Sequence, residues 1–388
     1  MKELKEKSDS ADINVVHEFD YSTQSDSYNK KFIEWRKNKN NIYAYNFCVN
    51  SKESVYIDGQ GFVNSAAEIE ENAALSRLLR LLGIILLIAS VFENVVDKIA
   101  VLLLDLIGVN VHYSFYKSVI YGGCTEVAAV VIVIMLLKLV VPAVFAQKNL
   151  KMPKQLAFPF CLRNYSELVM AISSALIVSA ALGIPSAYSD ETKEIYTFFK
   201  TYNADVSLWG QKEYVIYVFF DVIIVSFLYE LLFRGCLFTA LRQFGDRYAI
   251  IITSIAAGLA IQDLRIMPEM ILISAVAGIS LLRSGTMLSP IIVHVIYKMY
   301  MLALTIIEMD SSPNMVMTRN IFMCVVLIVG IIAFSAVFFR KDVRNRKAIA
   351  DYTCHTTIKK QVSITLKNFT FMAAAAVCLL AEIAEVLA

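Results

Sequence analysis

The sequence predicts an all-α fold, a polytopic transmembrane helical bundle of about eight spans with a polar N-terminal region. Three observations carry that expectation. The chain is 57% hydrophobic and 18% charged, with a mean hydropathy of +0.59, whereas soluble domains are about 45–50% apolar and 25% charged. Apolar runs approaching the roughly 20 residues needed to cross a bilayer recur from residue 78 onward. Lys and Arg concentrate in alternate loops, which is the asymmetry that orients membrane helices.

Taken in order, residues 1–30 are rich in Ser, Asp, Asn and Lys and are expected to be disordered or loosely folded. Residues 31–65 interleave Phe32, Trp35, Tyr43, Tyr45, Phe47 and Tyr56 with polar positions and suit a small soluble cap. Between Ala66 and Arg80 the acids Glu68, Glu70 and Glu71 precede Arg77 and Arg80. That order complements a helix macrodipole and reads as an amphipathic lead-in. Spans are expected at about 78–92, 119–146, 166–188, 214–241, 248–262, 269–283, 286–307 and 319–339. Residues 99–111 continue the first span as one tilted helix or follow it as an interfacial one. The run 369–388 is a ninth span or a surface helix, its spanning character weakened by Glu382 and Glu385.

This gives three regions: a polar cytoplasmic segment 1–75, a transmembrane bundle 76–347 and a C-terminal tail 348–388. The basic loops at 147–165, 242–247 and 340–347 are expected in the cytoplasm, and the loops at 189–213 and 308–318 outside. The expected location is therefore the cell (plasma) membrane, with the N-terminus cytoplasmic and the lipid bilayer as the first partner. The net charge is only +2, and no Lys/Arg run alternates with aromatics, so nucleic acid is not an expected partner. The seven cysteines are scattered without zinc-ribbon or redox spacing. No metal or cofactor is expected.

The chemistry concentrates in Ser226 to Phe238, within the apolar run 214–241. Glu230 and Arg234 are four residues apart, which stacks them on one helix face. Each charge in a span costs ~3 kcal/mol on insertion scales, so such residues usually face a bundle interior or a wet cavity. The residues alone leave two readings open, a functional site and a structural ion pair that fixes helix packing. Two further segments follow on the next long runs. One is Ala257-Gly258-Leu259-Ala260-Ile261, followed by Gln262 and Asp263. The other is Ser289-Pro290, then His294 and Lys298.

In this order, the three segments resemble the signatures of the CPBP family, the CAAX prenyl endopeptidases and bacteriocin-processing or immunity proteins. The family's first signature is Glu-Glu, three residues, then Arg, commonly followed by Gly; here Tyr229 stands at the first Glu, while Glu230, Arg234 and Gly235 match. Its second, Phe, three residues, then His, meets Ala257 and Ile261. Its third, His, three residues, then Asn or Asp, meets His294 and Lys298. The resemblance covers about residues 214–306. It implies an intramembrane peptidase in which the first Glu and the second-motif His activate a water, while the third-motif pair stabilises the oxyanion. Carried onto this chain, it makes Glu230, Arg234 and His294 the candidate catalytic residues. They are expected to converge in one interior pocket that opens toward one membrane face.

The departures bear on activity. A phenol with a reference pKa near 10 is a poor base at neutral pH, and Ile261 can neither donate nor accept a proton. Lys298 could serve an oxyanion as a cation. Catalytic zinc takes three protein ligands, and Glu230 with His294 supplies two. Two functions follow: a peptidase acting on a lipidated or hydrophobic peptide, and a non-catalytic relative that binds a membrane peptide or partner, as in bacteriocin immunity or export. Asp263 and Glu230 are the alternative bases if the chain cleaves. A transporter is disfavoured because the two halves show no repeated polar interruptions.

Overall fold

The computed structural model describes residues 24–38, 41–43, 55–57, 61–63, 65–96, 125–160, 165–183, 218–263, 266–308, 314–340 and 356–387, with positions 99, 102, 103, 106 and 215. The expectations for residues 1–23, for most of 99–111, for the 189–213 loop and for the basic positions 341–347 lie outside the described residues.

The described residues form an all-α bundle with one two-stranded hairpin. The elements are α1 (Asp26–Lys37), β1 (Val55–Ile57), β2 (Gly61–Val63), α2 (Ser65–Val91), α3 (Thr125–Leu150), the single-turn α4 (Lys154–Ala157), α5 (Tyr165–Gly183), α6 (Val218–Phe244), α7 (Asp246–Ile261), α8 (Met267–Ser284), α9 (Leu288–Glu308), α10 (Met315–Phe338), α11 (Ile358–Lys367) and α12 (Phe369–Leu387). Strands β1 and β2 pair antiparallel, with Tyr56 opposite Phe62. Helix α2 runs on through the wider π-helical turn Phe92–Val96.

Each of the eight expected spans is helical over most of its described residues; 119–124, 184–188 and 214, 216 and 217 lie outside them. Among the described residues, six helices are long and apolar enough to cross a membrane, or seven if α11 and α12, bent by 69°, count as one span. At 16 residues, α7 is only ~24 Å long, short of a ~30 Å hydrocarbon core. Helix α5 packs against α8, α9 and α10, α7 pairs with α8, and α12 lies along α2. The α2–α12 approach is close enough that a Cβ on Gly83 would lie 2.7 Å from the Thr370 backbone.

Within the N-terminal region, residues 26–37 form a capped helix. Ser25 caps α1 by accepting from the Tyr28 amide at 3.3 Å. Tyr28, Phe32 and Trp35 recur at helical spacing and are buried. Trp35 Nε1 donates to the Leu150 carbonyl at 2.8 Å, so the aromatics are a docking face on the end of α3. Burial raises the Tyr28 phenol above its ordinary pKa, only partly offset by Arg242 and by hydrogen bonds with Thr239 and Arg242.

Both ends of the chain grip the turn between α6 and α7. Gln243 Nε2 donates to the Tyr43 carbonyl at 2.8 Å, and Gln361 Nε2 donates to the Phe244 carbonyl at 2.8 Å. Tyr248 and Thr365 share a 2.7 Å hydroxyl bond. Arg242 holds Asp246 at 2.9 Å and lies over the Phe238 ring at 5.7 Å. The end of α3 and the 242–247 turn therefore lie at one end of the bundle, as their shared basic character implied.

Candidate functional site

Helix α6 departs from regular α geometry around its polar residues. Ser226–Glu230 is α-helical, and π-helical stretches of eight residues, Val218–Val225 and Leu231–Phe238, flank it. Wide turns of this kind are rare and concentrate at functional sites. Gly235 has a separate cause. A Cβ there would lie 2.5 Å from the Ala157 carbonyl, so the glycine lets α4 tuck against α6. The Met287 amide, just before α9, donates to the Pro159 carbonyl at 2.8 Å, tying the same loop to the helix that carries His294.

Glu230, Arg234 and His294 converge. Glu230 Oε1 lies 3.0 Å from His294 Nδ1, and Glu230 Oε2 lies 3.3 Å from Arg234 Nε. The Arg234 contact is a charge contact, since neither Oε2 nor Nε has a hydrogen-bond partner. Arg234 Nη2 instead donates to both the carbonyl and the hydroxyl of Ser274 on α8. One carboxylate thus faces an imidazole and a guanidinium, the kind of compensation a charge in a span needs. The expected opening to a membrane face is not present among the described residues. Glu230, Arg234 and His294 are 1%, 0% and 2% exposed.

Tyr229 accounts for much of that closure. It is buried, its ring meets His294 edge-on at 4.8 Å between centroids, and it contacts Phe233 at 4.6 Å. Its hydroxyl donates to the Ala257 carbonyl at 2.5 Å. The second motif therefore still meets the first, but through a backbone carbonyl. Ile261, at the histidine position, is a half-buried apolar side chain packed against the core. Gln262 adopts a left-handed φ of 53° at the end of α7, and its side chain accepts from Asn94. The Asp263 carbonyl takes the Ile266 and Met267 amides and so starts α8.

Lys298 is not held ready for an oxyanion. Its Nζ donates to the carbonyl and to Oδ2 of Asp221, both at 3.0 Å. The 214–241 run therefore carries a second carboxylate that the motif reading did not use. Asp221 lies on α6 and Lys298 on α9, one turn beyond His294. Ser274 was also missed; nothing in its own segment distinguishes it from other helix serines. Asp221 did carry a signal, as a lone acid in an apolar span.

Chemically, the Glu230–His294 pair is a carboxylate–imidazole couple able to relay a proton. Arg234 lies 3.3 Å from the other carboxylate oxygen, while the Tyr229 ring fills the space beside the imidazole. Among the described residues, no group of three or more His, Cys, Asp or Glu gathers as metal ligands.

Residues 211–300 match the family model described as type II CAAX prenyl endopeptidase Rce1-like. No curated protein and no solved structure matches the chain. The matched stretch contains all three motif segments, from Tyr229 through Ile261 to Lys298. Residues 211–300 thus form an Rce1-like domain, and this domain supports membership of the chain in the CPBP family of membrane peptidases.

Proposed function

We propose that this protein is a CAAX-protease-like membrane protein whose site binds a hydrophobic or lipidated peptide segment, or a membrane partner, without hydrolysing it. The reading rests above all on Tyr229, whose ring lies against His294 and whose hydroxyl is committed to the Ala257 carbonyl. A phenol so engaged does not activate water at neutral pH. Ile261 supplies no second base, and Lys298 is engaged by Asp221 rather than offered to an oxyanion. Arg234 Nη1 is buried without a hydrogen-bond partner, a donor that a guest carbonyl or carboxylate would meet once the side chains closing the site move aside. In this reading the N-terminus and the α6–α7 turn face the cytoplasm of a plasma-membrane protein, and roles in bacteriocin immunity or export suit the non-catalytic chemistry.

The test is cleavage of a hydrophobic and prenylated peptide library by the purified full-length protein, beside its Glu230→Ala variant. The expected result is no cleavage by either protein. Cleavage that disappears in Glu230→Ala, with folding intact, overturns the reading. That outcome favours a second one, in which the Glu230–His294 pair at 3.0 Å activates the water itself.

A further inference from the structure

A groove lies between α3 and α6, and Glu230, Arg234 and His294 are not among the residues that line it. Ala143, Val144 and Gln147 of α3 form one wall, Phe227 and Leu231 of α6 form the other, and Lys154 stands at the rim. Its volume is about 310 Å³, at the lower end of the ~300–1,000 Å³ typical of small-ligand sites. The floor is fixed. Ala157 is pinned against Gly235, Phe158 packs on Phe227 at 5.6 Å, and Pro159 accepts the Met287 amide. The groove is therefore built before any ligand arrives.

Its chemistry is graded along α3. The walls above Val144 are hydrocarbon. At Gln147 the side chain turns polar, and the exposed lysines 148, 151 and 154 follow within two turns. Phe160 and Tyr165, which follow these lysines in the sequence, are exposed, and aromatics are enriched at a bilayer's interface. A molecule that satisfies both levels has a hydrocarbon tail and an anionic head. A soluble anion would leave the walls bare, and a zwitterionic head would bring its own cation to the lysines.

We infer that the groove holds an acyl chain of one anionic phospholipid, with Lys154 and Gln147 on its phosphate. This site is separate from the Glu230 cluster and stands whether or not the chain cleaves peptides. Bound there, the lipid lies against α6 at Phe227 and Leu231, which flank Glu230 in the sequence.

The test is native mass spectrometry of the full-length protein in detergent, titrated with phosphatidylglycerol, with phosphatidylcholine of the same chains, and with glycerol 3-phosphate. One phosphatidylglycerol should bind about fivefold more tightly than phosphatidylcholine, the factor one interfacial lysine supplies, and glycerol 3-phosphate should not displace it. Lys154→Gln should bring phosphatidylglycerol down to the phosphatidylcholine level. Val144→Trp should fill the groove and weaken both lipids. Both side chains are exposed, so thermal unfolding should be unchanged; if Val144→Trp fails to fold, Leu228→Phe, which also lines the groove, takes its place with the same expectation. Equal affinity for the two lipids overturns the inference. So does phosphatidylglycerol binding unaffected by Lys154→Gln, or full displacement by glycerol 3-phosphate.

Discussion

Helices α6 and α10 are both long enough to span a bilayer, at 27 and 24 residues, yet 72% of the apolar window of α6 is buried and only 17% of that of α10. Helix α6 carries Asp221, Glu230, Arg234 and Arg242, whereas the one charged residue on α10 is Arg319, near its start. The more apolar helix is thus the more exposed one, with Ile321, Val325, Ile328 and Ile332 all turned outward. In water this would invert the usual order of burial. In a bilayer it is the expected order, because lipid accepts Ile and Val freely while a charge has to find its partners inside the protein. For this protein, hydropathy alone therefore marks the lipid-facing surface, and interruptions of hydropathy mark the core.

That contrast should appear in a graded set of substitutions, each followed by unfolding of the purified protein in mixed micelles. Arg234→Leu should have the largest effect, about 3–5 kcal/mol, because it strips the buried Glu230 of its cation. Adding Glu230→Leu to it should recover part of the loss, and a double variant no better than the single would break the account of α6. Gly235→Ala should cost about 1–3 kcal/mol by overpacking, since its new methyl meets the Ala157 carbonyl. A neutral result would mean that α4 is free to move away. Tyr229→Phe should cost about 1 kcal/mol, the usual worth of one hydrogen bond, and should change no activity. Ile328→Leu on α10 should stay within about 0.5 kcal/mol, as a substitution at an exposed site away from any such feature. A large effect there would show that α10 has a protein partner on its outer face.

The sequence made the Glu230–Arg234–His294 cluster legible because its members are side chains at motif spacing. It could not reveal the partners supplied by the backbone. The Ala257 carbonyl that holds Tyr229, the Ser274 carbonyl that holds Arg234 and the Ala157 carbonyl that requires Gly235 leave no mark in residue identity. The Asp221–Lys298 pair, 77 residues apart, was readable only by treating every acid in a span as a question. The helices were placed well because apolar runs of this length permit little else. Helix α1 straddles the polar stretch 1–30 and the aromatic stretch 31–65, and the spacing of Tyr28, Phe32 and Trp35 encodes its docking face.

The turn joining α6 to α7 also bears on how the chain is made. The Phe244 carbonyl is held by Gln361, a residue 117 positions later. At about 5–20 residues per second, the ribosome takes on the order of ten seconds to deliver that glutamine. Until then the turn waits half-built beside the translocon, with its upstream contact to Tyr43 available and its downstream clasp still unsynthesised. A chain stopped short of α11 would carry the complete 211–300 segment but a turn whose Phe244 carbonyl lacks its Gln361 partner.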